Sequence, residues 1–495
     1  MGLYPKEQST VGQDKSVLQS NRVADKTVAV KPDLPGNIIV VHGVNDVGTA
    51  YDKVEEGLCA GLKARLSRGL TPASYRMPQA DDKNKLLDDP DAVFFKRAIS
   101  DDTHSPVIPF YWGYREAGDK AKTRNAQRTD RYGNRLDKDL SKGGGPFGNA
   151  TNTLPDMWNR GIYAPIDVGG DPVRPVLTAP GRMYMVLAAR RLAALVAMIR
   201  DYDPNDTVSI VAHSQGCLLS LLAQAFLLEQ KDARPADTLV LTHPPYSLVD
   251  DVPWVMKGVE ALKGGEDAAM HDHYLAIAGR QTFDARLRTL ANIVHGVAEK
   301  KHKAPALAEI KDPSKHFGVV GARWEEGKDR DNRGKVYLYF CPEDLTVAIN
   351  GMQGIGWQGV PDYMVGTVLS KTKKTENRNM WGTETTWERE EQRREPLAEL
   401  GRSFFQRVFT AKKRFDPDKK AVGAVLVGQK PHDFALRIAG EDDHSHVAAS
   451  GRALRAHHTE ATWPVKKTAL GIIPIPKALQ RDGIVTINGE ALRQA

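Results

Sequence analysis

The sequence has few cysteines, and its longest apolar stretch is interrupted by charge. Its 495 residues include only three cysteines, namely Cys59, Cys217 and Cys341. This number excludes a small secreted domain held together by several disulfides, and we expect free thiols. The apolar stretch at residues 183–199 contains Arg190 and Arg191. Because two charges at the centre of a bilayer-spanning helix are rare, this stretch is predicted to be a buried helix.

The sequence also lacks an ordinary export signal and a dense basic block. Its first residues contain no cationic start followed by an apolar stretch, so we expect synthesis in the cytoplasm without a signal peptide. The net charge is +7, from 69 Lys and Arg against 62 Asp and Glu. We interpret it as a solvated basic surface, with attraction to anionic phospholipid as the alternative. No nucleic-acid-binding motif accompanies the basic patches KKHK and KTKK, so no nucleic-acid partner is predicted.

Apolar and β-branched segments alternate with segments of helical spacing along most of the chain. Strands are predicted at residues 36–42, 106–112, 207–212, 238–242, 335–340 and 422–427. Helices are predicted at residues 50–66 and 181–201, after Gly216, and at residues 446–458. This alternation predicts an α/β fold, in which a mostly parallel sheet carries helices on both faces, as in α/β-hydrolases. The prolines in residues 106–112 favour an edge strand or strand ends.

The predicted organisation is one decorated domain between two terminal segments. Residues 1–35 are predicted to be an arm, residues 36–460 the hydrolase domain, and residues 461–495 a tail. Large insertions, which would build a cap or lid, are expected at about 115–180, 250–333 and 351–420.

The segments VSIVA, HSQG and CLLSLL predict a strand, a tight turn and a helix in succession. In α/β-hydrolases the nucleophilic serine occupies such a turn, usually within G-x-S-x-G, where small residues let the strand and helix approach closely. Here Ala212 replaces the first glycine and is still small, and Gly216 keeps the second. Ser214 is therefore the predicted nucleophile, with a serine in an ordinary β–α turn as the alternative. His213 is predicted to be structural rather than the base.

Two backbone N–H groups are predicted to form the oxyanion hole. The first belongs to Gln215, which follows the serine and opens a helix whose N-terminal end is positive. The second is expected in the loop after an early strand, which here reads IIVVHGVNDVG. Gly43 permits a sharp turn, so Val44 is the candidate donor and Asn45 the second choice. The alternative is that this His-Gly pair only ends a strand.

The acid is expected just past a strand downstream of the serine. The strand KVYLYF runs into CPEDLTV, which makes Asp344 the predicted acid and Glu343 the fallback. The alternative is that both are solvated loop carboxylates.

The base must come later and lie in a loop before a helix. The candidates are His432, His444, His446, His457 and His458. We favour His444, because it follows three acidic residues and precedes Ser445, which can begin the last predicted helix. A metal site in this His and Asp cluster ranks below the triad, and no metal or cofactor is predicted.

Several segments together resemble the third family of type VI secretion lipase effectors. They are VHGVND, PFYWGY, LAARRLAALVAMIRDYDPNDTVSIVAHSQG, LTHPPYSL, CPEDLTV followed by GMQGIGWQGV, and DDHSHV, between about residues 36 and 460. The resemblance implies an antibacterial phospholipase or lipase that is delivered to the periplasm of rival bacteria. It also implies a phospholipid membrane as substrate, a cognate immunity protein, and a secretion spike or adaptor protein as partners.

The same resemblance assigns the nucleophile to Ser214, the acid to Asp344 and the base to His444. The sequence departs from the family's pattern at Ala212, where glycine is commoner, and at Glu343, where histidine is expected. Neither change removes a catalytic group. Two other functions stay open: a cytoplasmic serine esterase or thioesterase that acts on small soluble esters, and a non-enzymatic interaction module on a hydrolase scaffold.

Overall fold

A computed structural model describes somewhat more than half of the chain. The described residues are 34–66, 69–76, 96–124, 127–137, 140–158, 179–248, 283–312, 324–325, 329–341, 344, 346–347, 352–360, 364–379 and 382–408, with short strands at 15–17, 27–29, 414–415, 421–422, 433–435 and 484–486. The predicted helix at 446–458, most of the predicted strand at 422–427 and most of the predicted tail lie outside these residues.

Six parallel strands form the central sheet. They are β1 (Asn37–Val41), β2 (Val107–Phe110), β3 (Val208–His213), β4 (Thr238–Thr242), β5 (Lys335–Phe340) and β6 (Phe404–Val408). Their order across the sheet is β6-β5-β4-β3-β1-β2. The prediction of a mostly parallel sheet is confirmed, and the proline-containing strand β2 lies at its edge as expected.

The principal helices cover both faces of this sheet. They are α1 (Tyr51–Leu66), α2 (Met183–Tyr202), α3 (Gln215–Glu229), α4 (Phe283–Glu299), α5 (Leu307–Lys311), α6 (Ile355–Gln358) and α7 (Pro396–Glu399). Ile39 and Val41 of β1 join the large apolar core with α2, α3 and α4, whereas Val40 packs with Tyr51 on the opposite face. Alternate side chains of a strand point to opposite faces, so both faces of β1 are buried.

Two parts of the predicted insertions belong to the core of the fold. Helix α4 lies within residues 250–333, yet its residues Leu287, Leu290 and Val294 are fully buried in the large core. Strand β6 lies within residues 351–420 and completes the sheet beside β5. These segments are therefore elements of the α/β layers rather than parts of a cap.

The remaining strands form small antiparallel pairs around the sheet. They pair residues 15–17 with 27–29, 74–76 with 96–98, 113–115 with 141–143, 122–124 with 127–129, and 364–379 with 382–394; a further small sheet joins 414–415, 421–422, 433–435 and 484–486. Within the described ranges, no helix is both long enough and apolar enough to cross a bilayer. All three cysteines are free, and Cys59 and Cys217 are buried.

Candidate active site

Ser214 occupies the turn between β3 and α3 in a strained backbone conformation. Its φ is 51° and its ψ is −125°, values that non-glycine residues seldom adopt. Its N–H donates to the Thr242 carbonyl at 2.9 Å, and its own carbonyl accepts the Cys217 N–H at 2.9 Å. This strand, strained turn and helix have the form of a nucleophile elbow, in which the serine hydroxyl stands above the sheet.

Small residues on either side of Ser214 let α3 approach the sheet. A side chain on Gly216 would place its Cβ 2.4 Å from the His42 carbonyl oxygen and 2.8 Å from that of Val41. Ala212 is fully buried in the core beneath the turn. A glycine is therefore required after the serine, whereas alanine fits before it.

The loop after β1 reaches Ser214 directly. A Cβ on Gly43 would lie 3.0 Å from the Cβ of Ser214, and Val44 follows at once. The N–H of Asn45, the second choice for the oxyanion hole, donates instead to the Gly145 carbonyl at 3.1 Å. Gln215 is the first residue of α3, and the first N–H groups of a helix have no intrahelical acceptor. Val44 and Gln215 thus belong to the two segments that flank the serine.

His42 holds the start of this loop. Its Nδ1 lies 2.9 Å from the Gly43 carbonyl oxygen, and its Nε2 accepts the Trp112 N–H at 3.2 Å. Its ring also stacks on Trp112, whose indole N–H donates to the His42 carbonyl at 2.9 Å. Burial lowers the pKa of His42 to about 4, so the ring is neutral at pH 7.

A glycine-rich segment, GGGPFGN, supports the same loop from the other side. Gly144 has a φ of 67°, and a Cβ there would lie 2.4 Å from the Gly43 carbonyl oxygen and 2.6 Å from the Asn45 nitrogen. The Gly144 N–H donates to the Trp112 carbonyl at 2.9 Å. The sequence alone does not reveal this contact, because it joins segments far apart in the chain.

Residues 149–158 connect the nucleophile helix with its surroundings. The side chain of Gln215 is buried, and its Oε1 accepts the Thr151 N–H at 2.9 Å. Asn152 accepts the Ser247 N–H at 3.0 Å through its carbonyl, and its side-chain amide donates to the Met352 carbonyl at 3.0 Å. Gln215 thus has a side-chain role in addition to the backbone role predicted for it.

Asp344 lies beyond the end of β5, with one carboxylate oxygen fixed by the backbone. Its Oδ1 accepts the N–H groups of Thr346 at 3.0 Å and Val347 at 3.1 Å. Its own N–H donates to the Cys341 carbonyl at 3.0 Å. The other oxygen, Oδ2, is 3.4 Å from Nδ1 of His243. Glu343, the fallback acid, lies outside the described residues.

The carboxyl ends of three neighbouring strands bring these groups together. Ser214 follows β3, His243 follows β4 and Asp344 follows β5. Adjacent strands are about 4.8 Å apart, so β3 and β5 are separated by about 10 Å. His444, the predicted base, lies outside the described residues, and so do the four other candidate histidines.

His243 lies next to these candidates, and the sequence analysis did not name it. Its ring centroid is 5.7 Å from that of His213, in an edge-on arrangement, and it faces Asp344 on the other side. The available signal was a histidine placed directly after a predicted strand, in LTHPPY. Among the described residues, no group of three or more His, Cys, Asp or Glu is arranged to hold a metal ion.

Comparison with known proteins relates the chain to a group of bacterial effectors. A family model described as the T6SS Tle3 phospholipase effector domain matches residues 34–361. The chain is also 34% identical over 503 residues to the antibacterial effector protein Tle3 of Pseudomonas aeruginosa. That alignment covers 93% of this chain and 63% of the relative. The chain therefore spans less than two thirds of the relative's length.

Proposed function

Because the chain belongs to the T6SS Tle3 phospholipase effector family, we propose that it is a serine phospholipase that hydrolyses ester bonds of membrane phospholipids. The observation that carries the serine mechanism is the turn at Ser214, where a strained residue between β3 and α3 abuts the loop after β1. This geometry is typical of an activated serine beside an oxyanion hole. The phospholipid substrate is supported by the family.

In the proposed mechanism, Ser214 Oγ attacks the carbonyl carbon of the lipid ester while His444 takes the hydroxyl proton. The N–H groups of Val44 and Gln215 bind the oxyanion of the tetrahedral intermediate, and the positive end of α3 stabilises the same charge. Collapse of the intermediate expels the lysophospholipid, whose oxygen is protonated by His444. The fatty acyl group remains on Ser214 as an ester.

A water molecule completes the cycle. His444 takes its proton, the resulting hydroxide attacks the acyl ester, and Ser214 leaves with the proton from His444 as the fatty acid is released. Asp344 stabilises the imidazolium form of the base in both halves of the cycle. The two backbone N–H groups that hold its Oδ1 keep the carboxylate oriented.

The biological setting proposed here follows from the same family. The protein acts as an antibacterial toxin on the phospholipids of a target cell, which it reaches in the periplasm through the type VI secretion system. A cognate immunity protein protects the producing cell, and a spike or adaptor protein carries the toxin. The name of the Pseudomonas relative supports the antibacterial role.

Covalent labelling tests the serine mechanism. A fluorophosphonate probe should phosphonylate Ser214, and fragmentation of the labelled peptide should place the adduct there rather than on Ser209 or Ser220. Ser214→Ala should abolish labelling, whereas Ser220→Ala should retain it if the protein stays folded. An adduct on another serine, or none in protein that cleaves lipid, would overturn the assignment.

A further inference from the structure

His243 lies between the nucleophile and the acid, with a backbone conformation fixed by the residues around it. It follows β4, the strand between β3 and β5, and its N–H donates to the Tyr339 carbonyl of β5 at 2.9 Å. Its φ is 51°, in the left-handed region that non-glycine residues seldom adopt. Strained residues of this kind persist only where the surrounding structure holds them, and they cluster at functional sites.

The segment that begins α6 holds this conformation. A Cβ on Gly356 would lie 2.3 Å from the carbonyl carbon of His243 and 2.4 Å from the nitrogen of Pro244. The Gly356 N–H donates to the Pro244 carbonyl at 2.9 Å, and the Ile355 N–H donates to the Tyr246 carbonyl at 2.7 Å. The fold therefore fixes the backbone of His243 and of the residues that follow it.

The imidazole of His243 faces Oδ2 of the Asp344 carboxylate, an oxygen that accepts no backbone hydrogen bond from the part of the chain that the structure describes. Its Nδ1 is 3.4 Å from Oδ2, while Oδ1 is fixed by two N–H groups of its own loop. The two side chains are only 16% and 17% exposed, so water competes weakly for this contact. The distance is longer than that of a strong hydrogen bond.

We propose that His243 is a positioning residue, which orients the Asp344 carboxylate so that this acid can stabilise the catalytic base. The proposal rests on the serine mechanism above and leaves the role of base to His444. The edge-on contact with His213 also ties the His243 ring to the residue before the nucleophile. Burial lowers the pKa of His243, with Asp344 acting against that shift, so a neutral ring can orient the carboxylate without cancelling its charge.

Three substitutions of His243, assayed with a chromogenic short-chain ester, test the proposal. His243→Ala should lower kcat roughly ten- to a hundredfold and change KM by less than about twofold, since the lost contact serves the base rather than substrate binding. His243→Asn, whose amide nitrogen can occupy the Nδ1 position, should recover most of the activity. His243→Gln, whose amide matches Nε2, should not.

A double-mutant cycle with Asp344→Asn separates this role from a general structural one. If His243 acts through Asp344, His243→Ala should cost much less in the Asp344→Asn background than in the wild type, whereas equal losses would overturn the proposal. Wild-type activity in folded His243→Ala would also overturn it. The proposal would also be overturned if His243→Asn were folded but as inactive as Ser214→Ala, since His243 would then be the base.

If His243→Ala does not fold, the activities of His243→Asn and His243→Gln are compared instead, and equal activities of these two variants would overturn the proposal. Activity that survives Ser214→Ala would instead refute the serine mechanism itself.

Discussion

Ser214 and Gly144 both have a positive φ, and they meet opposite sides of the loop that begins at Gly43. At the serine, the proposed mechanism gives the strained turn a role, because the turn would present the hydroxyl to the lipid ester. At the glycine, the absence of a side chain allows the backbone to approach the loop closely. In the proposed mechanism, Ser214 supplies the chemistry, and Gly144 leaves room for the backbone of the adjoining loop.

Gly144→Ala should impair both catalysis and stability. Its Cβ would lie 2.4 Å from the Gly43 carbonyl oxygen. This backbone atom cannot move without shifting the loop after β1, which carries the proposed oxyanion donor Val44. We expect kcat to fall by about a hundredfold and the free energy of unfolding by about 1–3 kcal/mol. Enzyme assays and urea unfolding of the same preparation measure both effects.

Gly57→Ala is the matched control for this substitution. Gly57 lies in α1, and an added Cβ there meets no atom within 4 Å. The change should leave kcat unaltered and raise stability by up to about 1 kcal/mol. Full activity in Gly144→Ala would show that the loop does not depend on this close contact.

The buried His42 should make the protein less stable in acid. Its folded-state pKa of about 4 lies below the ordinary value of 6.5, so the unfolded chain binds the proton more readily. The stabilising effect is complete above pH 6.5 and is lost as the pH falls towards 4. Between pH 7 and pH 5 the loss should be about 2 kcal/mol.

Urea unfolding at pH 7 and pH 5 tests this expectation. His42→Asn, which keeps a side-chain donor near the Nδ1 position, should lose less stability than the wild type between the two pH values. The same change at the exposed His295 should leave the wild-type pH dependence intact. If His42→Asn lost as much unfolding free energy between pH 7 and pH 5 as the wild type does, the role assigned to His42 would be contradicted.

The candidate site residues that the sequence offers are those whose signal is local. Ser214 and Gln215 lie between a strand and a helix that are both evident in the sequence, and Asp344 follows another strand. His243 was not among these candidates, because its contact is with Asp344, which follows a neighbouring strand and lies far away in the chain. Single-sequence reasoning places residues after strands but does not say which strands are adjacent.

At the scale of elements, a buried ion pair anchors α2 to the start of β4. Arg200 contacts Asp237 Oδ2 at 3.2 Å and also donates to the Pro235 carbonyl. Asp237 Oδ2 accepts the Val208 N–H at 3.0 Å, and Oδ1 accepts the His302 N–H at 3.1 Å. One carboxylate thus joins a helix, two adjacent strands and the segment after α4.

Asp237→Ala should therefore be strongly destabilising. It would leave the Arg200 guanidinium, which is 9% exposed, without its counter-charge. It would also leave the buried N–H groups of Val208 and His302 without their acceptor. We expect a loss of about 3–5 kcal/mol in the free energy of unfolding, measured by denaturant titration. Asp232→Ala, at an exposed position nearby in the sequence, should change stability by less than about 0.5 kcal/mol. Equal effects of the two changes would refute this role.

Five of the six central strands could be predicted because each is a short, nearly continuous apolar run. Strand β6 was not, since Gln406 interrupts the run FFQRV. This glutamine is fully buried, but its amide accepts the Val360 N–H at 2.8 Å and donates to the Val360 carbonyl at 3.0 Å. The hydrogen bonds of this buried amide are made with backbone groups far away in the chain. The hydrophobic pattern of the sequence therefore does not indicate a core strand here.

At the scale of the whole molecule, the account predicts toxicity that depends on the compartment. When the protein is expressed with an added periplasmic signal peptide, growth of the host should stop, because the toxin then meets membrane phospholipid from the side proposed here. Cytoplasmic expression should be tolerated, and periplasmic Ser214→Ala should be harmless. Growth curves with matched expression levels measure this. Harmlessness in both compartments, or killing by the serine variant, would count against a periplasmic phospholipase.

The most direct test of the central claim is the release of fatty acid from phospholipid vesicles by purified protein. The wild type should release fatty acid and leave lysophospholipid, and Ser214→Ala should reduce the rate by at least about a thousandfold. Undiminished release by Ser214→Ala would contradict the serine mechanism. No release from vesicles, together with Ser214-dependent cleavage of a short-chain ester, would contradict the membrane substrate and favour a soluble esterase.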